Sequence, residues 1–97
     1  MKRKTDDIDT ALLERLRKGD ELAFKTLFEH FGVRLYQFSL RYLHNREDVE
    51  DLLHDVFLKI WLNRSSLRTG TSFRAYLFTI AYNNIRRRFL KRSREEK

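Results

Sequence analysis

The sequence predicts an all-α fold: a compact helical bundle of three long helices with one short N-terminal helix. Three observations carry that expectation. The 97 residues contain no proline and 3 glycines, while Leu, Arg, Lys and Glu, which keep most of their rotamer freedom in a helix, recur throughout. Four segments place apolar residues at the helical spacings of three and four, and none alternates with the period of two of a half-buried strand. The joints between segments carry helix-capping residues. A chain of 97 residues suits one domain with a single core.

Residues 1–8 read as a charged leader, and the domain is expected over 9–92. The first helix is expected from Thr10 to Lys18, capped by Asp9, with Leu12, Leu13 and Leu16 as its apolar side. Gly19 stops it, and Asp20 caps the next helix, expected from Glu21 to Leu43. There Phe24, Leu27, Phe28, Phe31, Leu35, Phe38 and Tyr42 share one face, an aromatic stripe that reads as core. Val33, Tyr36 and Leu40 lie almost opposite, with Arg34, Gln37 and Arg41 as a polar strip between, so a central helix buried on two sides is expected. Gly32 costs up to about 1 kcal/mol relative to alanine, which points to a close crossing or a bend.

The third segment, Asn45 to Asn63, is the one around which the chain is organised. Val49, Leu52, Leu53, Val56, Phe57, Ile60 and Trp61 form one broad apolar face. Asn45 caps the start, and Glu47, Asp48, Glu50 and Asp51 favour the positive end of the helix dipole. The opposite face carries Glu47, Asp51, His54 and Asp55 with Leu58 at its centre. Solvation favours a polar residue there, so an acidic surface with an apolar centre points to a partner.

Arg64 to Thr71 reads as a short basic loop. Thr71 or Ser72 then caps a last helix, Phe73 to about Arg92. Phe73, Leu77, Ile80 and Ala81 make its first apolar face, and Phe78, Tyr82, Ile85 and Phe89 a second. Tyr76, Thr79, Asn83, Arg86 and Arg87 share the polar side.

Charge divides sharply along the chain. Residues 1–61 hold 11 basic and 12 acidic side chains, whereas residues 62–97 hold 10 basic and 2 acidic. A basic end interleaved with aromatic and amide residues suits nucleic acid: rings stack on bases, Asn both donates and accepts, and arginines neutralise phosphates. A solvated basic tail is the competing reading, and Tyr76 against a neighbouring helix fits the pattern equally well.

Several classes are excluded. With no cysteine in the chain, disulfides, thiolate zinc sites and cysteine nucleophiles are ruled out. His30, His44 and His54 are scattered, so no metal site or cofactor is expected. No apolar run approaches the roughly 20 residues of a membrane span, and the start lacks a signal peptide's apolar segment, so a cytoplasmic protein without membrane insertion is expected. Neither a nucleophile–base motif nor a glycine-rich phosphate loop is present, so no enzyme activity is expected.

The stretch Val49-Glu50-Asp51-Leu52-Leu53-His54-Asp55-Val56-Phe57-Leu58-Lys59-Ile60-Trp61 resembles conserved region 2.2 of bacterial RNA polymerase sigma factors of the extracytoplasmic-function (ECF) group. Val49 and His54 replace that pattern's alanine and glutamine. The joint at Gly19-Asp20 is similar to the start of region 2, and Phe73 to Asn83 is similar to regions 2.3 and 2.4, so the likeness runs from about Leu12 to Arg92.

The resemblance implies a transcription initiation factor that docks on core RNA polymerase and recognises and helps open the promoter minus-ten element. It would place Glu50, Asp51, His54, Asp55 and Leu58 against the clamp coiled coil of the largest polymerase subunit. It would place Ser66, Leu67, Arg68 and Asn83 around a flipped base of promoter DNA, with many members carrying an aromatic residue where this chain has Leu67. Tyr76, Thr79, Arg86, Arg87 and Arg88 complete the expected DNA surface. An anti-sigma factor is a further expected partner, and residues 93–97 resemble the start of a linker to a second, promoter-reading domain. The alternatives are a stand-alone helical DNA-binding transcription regulator, whose helix-turn-helix signature is not evident, and a pure interaction module using the acidic helix.

Overall fold

The computed structural model describes residues 7–95. The expected leader up to Asp6, and Glu96 and Lys97 of the expected linker, lie outside the described residues. Four α-helices follow one another, α1 Thr10–Arg17, α2 Glu21–Leu43, α3 Arg46–Leu62 and α4 Phe73–Glu95, with a 3-10 turn at Arg64–Ser66. Among the described residues there is no strand. The fold is the all-α bundle that the periodicity predicts, three long helices and a short leading one, with the last helix running one turn beyond its expected end.

The caps act as the sequence suggests. The Asp9 carboxylate accepts from the Leu12 N–H at 2.8 Å, Asp20 accepts from Leu22 and Ala23 at 2.9 and 3.3 Å, and the Asn45 side chain accepts from Asp48 at 3.0 Å. Gly19, at φ 89°, supplies the left-handed turn between α1 and α2. Across that turn Arg15 donates to Asp20 at 2.8 Å, and this hydrogen bond, ahead of the backbone ones, holds the Asp20 carboxyl below its ordinary range.

Ring and ion pairs set the helix directions. Phe24 meets Trp61 at 5.1 Å and Phe28 meets Phe57 at 4.9 Å, so α3 runs antiparallel to α2. Arg88 of α4 reaches Asp51 and Asp55 of α3 and Arg92 approaches Asp48, so α4 is antiparallel to α3. Phe31–Phe73, Phe38–Phe78 and Tyr42–Tyr82 pair in ascending order, so α4 lies parallel to α2. Leu27, Phe31 and Leu35 of α2, Leu52, Val56 and Ile60 of α3, and Leu77 and Ile85 of α4 fill the fully buried centre, with Leu16 of α1 beside them.

Three expectations are corrected. The second apolar stripe of α2 is buried only in part: Tyr36 packs against the core, whereas Val33 is 68% exposed and Leu40 also faces out, because α3 and α4 both lie on one side of the helix. The aromatic stripe is closed only in its middle; Phe28 is 46% exposed, and Ser39 takes the inward position between Phe38 and Tyr42. Gly32 is buried, but a Cβ there would meet only the Phe28 ring at 3.8 Å, an ordinary contact, so no close crossing needs it.

The last two residues of the expected leader, Asp7 and Ile8, touch the helices. Asp7 accepts from the Ser72 hydroxyl at 2.6 Å and from the Arg74 N–H at 2.9 Å, so a carboxylate from the chain start caps α4. Partial burial pushes the Asp7 carboxyl up. Its hydrogen bonds from Ser72 and from the N–H groups of Arg74, Ile8 and Phe73 outweigh that and hold it below its ordinary value. Ile8 packs against the core.

Candidate functional site

The loop before α4 is built to hold a concavity open. Arg64 lies over the Trp61 ring at 4.1 Å and donates to the Trp61 carbonyl at 2.8 Å, which anchors the loop's start to the end of α3. The Ser66 hydroxyl donates to the Asn63 carbonyl at 2.8 Å and tightens the 3-10 turn. Thr71 donates to the Arg68 carbonyl at 3.3 Å, and Ser72 caps α4 by accepting from Ala75 at 3.1 Å. Between turn and helix lies a cavity of about 380 Å³, in the range of small-ligand sites.

Ser66, Leu67 and Arg68 line this cavity from the loop, and Tyr76 from α4. Leu67 is only 7% exposed. Rather than projecting as a stacking platform it belongs to the core and lines the cavity with its apolar side chain, because Leu13 of α1 and Phe73 lie beside it. The aromatic wall is Tyr76, whose ring sits 6.2 Å from that of Phe73 and remains exposed. Asn83 is exposed but is not among the lining residues, since seven residues along a helix place it about 10 Å away.

Along α4, Thr79, Asn83, Arg86 and Arg87 continue the exposed face from Tyr76. Arg88 does not join it. Its Nε donates to Asn84 at 2.6 Å, and one terminal nitrogen donates to Asp51 at 3.1 Å and to Asp55 at 3.0 Å. The expected grouping of three consecutive arginines fails because 100° per residue turns Arg88 toward α3, where two carboxylates a turn apart receive it.

That pairing also divides the expected docking surface. Asp51 and Asp55 lean toward α4, whereas His54 and Leu58 line an apolar groove of about 480 Å³ between α3 and α2, with Phe24, Phe28, Phe57 and Trp61. Leu58 is 46% exposed at its edge. Glu50 is exposed and paired with Arg46 at 3.0 Å, which raises the Arg46 guanidinium above its ordinary value. The face is thus an acid rim beside an aromatic groove.

The residues that sequence reasoning missed are those whose neighbours are distant in the chain. Leu13 and Asp7 reach the loop and α4 from the opposite end of the sequence, and no local pattern signals either contact. Phe28 was legible only as part of a stripe. Among the described residues no three His, Asp or Glu side chains are grouped to hold a metal ion, and no helix is long and apolar enough to cross a membrane.

Comparison with known proteins adds the family. The sequence model described as sigma-70 region 2 matches residues 27–95. The RNA polymerase sigma factor CarQ of Myxococcus xanthus is 38% identical over 74 residues, 76% of this chain and 42% of that protein. The ECF RNA polymerase sigma-E factor of Escherichia coli K12 is 32% identical over 75 residues, 77% of this chain and 39% of that protein. The chain therefore spans less than half the length of these curated relatives. Among solved structures, an engineered region 2 of sigmaE, determined by NMR in complex with GTAAAA, superposes with a TM-score of 0.78 at 27% identity, covering 98% of this chain and 97% of that one. With its helices, their order and most of its length accounted for, the chain belongs to the sigma-70 region 2 family.

Proposed function

We propose that this chain is the part of a bacterial sigma factor that docks on core RNA polymerase and holds the opened promoter minus-ten element as single-stranded DNA. The observation that carries this reading is the cavity between the loop and α4, with an apolar lining at Leu67, an aromatic wall at Tyr76 and polar groups at Ser66 and Arg68. Such a lining suits one unstacked base. Extruding a base costs a few kcal/mol, and stacking worth about 1–3 kcal/mol with polar contacts to the base edge offsets it. The shared fold with a protein solved on GTAAAA supports a nucleic-acid ligand on this domain.

The roles divide along α4. Tyr76 stacks on the extruded base. Asn83 and Thr79, farther along the helix, contact the next bases, and Arg86 and Arg87 neutralise phosphates. Arg88 acts through α3, holding the DNA helix against the docking helix. On the other side Leu58 and His54, with the groove beside them, receive the apolar ridge of the polymerase clamp coiled coil. Glu50, Asp51 and Asp55 complement its basic residues. An anti-sigma factor would cover the same two surfaces. The chain supplies no reacting groups; it directs the chemistry of the polymerase.

The test is a reconstituted complex on a pre-opened promoter. Tyr76→Ala is expected to weaken binding by about 1–3 kcal/mol. Asn83→Ala is expected to reduce discrimination among minus-ten variants while leaving the salt dependence intact. If neither substitution changes affinity or discrimination, the base-holding reading fails.

A further inference from the structure

We infer that α1 shapes the base-holding cavity, and that Leu13 sets the size of base the cavity accepts. This rests on the base-holding function proposed above and adds to it a specificity residue from the start of the chain. The matched sigma-70 region 2 model covers residues 27–95. Leu13 lies outside that match.

The first observation is the place of Leu13 in the cavity. Among the lining residues Leu13, Leu67 and Phe73 are buried, at 5%, 7% and 4% exposure, whereas Ser66, Arg68 and Tyr76 are exposed. The buried residues form the inner end and the exposed ones the mouth. Phe73 is fixed from α2 by the Phe31 ring at 5.9 Å, and Leu67 follows the 3-10 turn of the loop itself. Leu13 closes the inner end from a third element. Its side chain offers no hydrogen bond, so a base edge that reached it would give up water and gain no polar partner. What Leu13 contributes is shape.

The second observation is how α1 is held. A helix of eight residues does not persist by itself in water, so its position depends on what it is tied to. The loop before α4 supplies ties at both of its ends. At the start, the Arg64 guanidinium lies against the joint between α1 and α2, where a Cβ on Gly19 would come within 3.4 Å of Nε. The same guanidinium covers the Trp61 ring, which fixes it to the end of α3. At the other end Ser72 donates to Asp7, which stands two residues before Asp9, the cap of α1. Between these ties α1 buries Leu13 and Leu16. Leu16, at 1% exposure, enters the core, and Leu13, one turn earlier, reaches the cavity. Leu13 is thereby a fixed wall. A fixed apolar wall discriminates by size, and one methylene of space in such a pocket is worth about tenfold or more between competing ligands.

The experiment reconstitutes core RNA polymerase with the 97-residue chain on a pre-opened promoter. Each position of the minus-ten non-template strand is replaced in turn by an abasic nucleotide, and the position at which this costs most affinity is the extruded one. All four bases are then compared with the abasic site at that position, for the wild type, Leu13→Ala and Leu13→Phe. Ratios are taken within each variant, so a smaller folded fraction or a general loss of binding cancels. Leu13→Ala deepens the cavity and should raise the preference for purines over pyrimidines by about tenfold, and Leu13→Phe should lower it by a similar factor. Leu13→Val, a smaller truncation, should shift the preference in the same direction as alanine and by less. It keeps the test readable where the larger changes impair folding, which a melting midpoint checks. A leucine that only supports the fold would leave the purine preference unchanged in every variant, and that result overturns the inference. So does a shift of the same sign in the alanine and phenylalanine variants. Failure of the base-holding function looks different: no position would distinguish a base from the abasic site in the wild type, and the role of Leu13 would fall with it.

Discussion

The two grooves along the aromatic stripe of α2 are built from the same residue type and differ in character. Toward α3, Phe24 and Phe28 face Phe57 and Trp61, with Glu21, His54 and Leu58 around them. Toward α4, Phe38 faces Phe78, with Arg34, Arg41 and Arg74 around them. Each groove lies at one end of the single stripe that helical periodicity picks out. The stripe is core only where α3 and α4 both cover it, at Leu27, Phe31 and Leu35. A periodic aromatic face therefore identifies the side of a helix that meets other helices. It does not reveal where those helices diverge and leave the rings open.

The largest expected effect separates the middle of the stripe from its ends. Phe31→Ala, at a position with no exposure, should cost about 3–5 kcal/mol of unfolding free energy, the usual range for an aromatic deleted from a closed core. Phe28→Ala removes a ring that is 46% exposed and should cost well under half as much. Urea unfolding of both variants measures the difference. Equal losses would mean that the α2–α3 groove is closed in solution and the contrast between ends and middle is wrong.

Next in size is the docking effect at the apolar groove. Leu58→Ala should weaken binding to a clamp coiled-coil fragment by about tenfold or more, as expected for an exposed apolar anchor inside a charged rim, while helicity stays unchanged. Binding that tracks only Asp51 and Asp55 would give the docking role to the acid rim and leave the groove without a partner.

The four helices, their caps and the joint at Gly19-Asp20 were legible because each depends on residues within one or two turns of one another. The division of α4 was legible in part. Periodicity put Tyr76, Asn83 and Arg86 on one face, but Arg88 is sorted by what faces it, and Asp51 and Asp55 are more than thirty residues away in the chain. Leu67 illustrates the same limit: its neighbours in sequence are polar loop residues, and only the approach of Leu13 and Phe73 turns it inward. The expected two-sided burial of α2 holds at Tyr36 but not at Val33 and Leu40, because periodicity cannot count the helices available to cover a second face.

Asp7 offers a smaller effect at the start of α4. Because its carboxyl is held below the ordinary value of 3.8, it contributes stability that is fully present above that pH and lost as pH falls through the lower folded value. Asp7→Asn should therefore remove about 1 kcal/mol at neutral pH, as for loss of a helix cap, and make unfolding less sensitive to acid below pH about 4. Thermal melts from neutral to acidic pH measure both. An unchanged acid limb would mean that the contact between chain start and α4 does not persist in solution.

The smallest effect is a gain, and it lies between the apolar groove and the closed core. Gly32 is buried in the interior of α2 with ordinary helical backbone, yet the only group that a Cβ would meet is the Phe28 ring at 3.8 Å. Alanine there removes the conformational freedom that glycine gives the unfolded chain and adds a methyl contact at normal distance, so Gly32→Ala should stabilise the domain by about 0.5–1 kcal/mol. The added methyl would also buttress the half-exposed Phe28 ring from behind, which should leave the α2–α3 groove open and clamp binding unchanged. Urea unfolding and the clamp titration read the two consequences separately. A loss of stability would restore the reading that glycine is required where α2 crosses its neighbours. A gain in stability with weakened docking would mean that Phe28 must swing toward Gly32 when the partner enters, making the glycine part of the docking surface rather than an unfilled place in the helix.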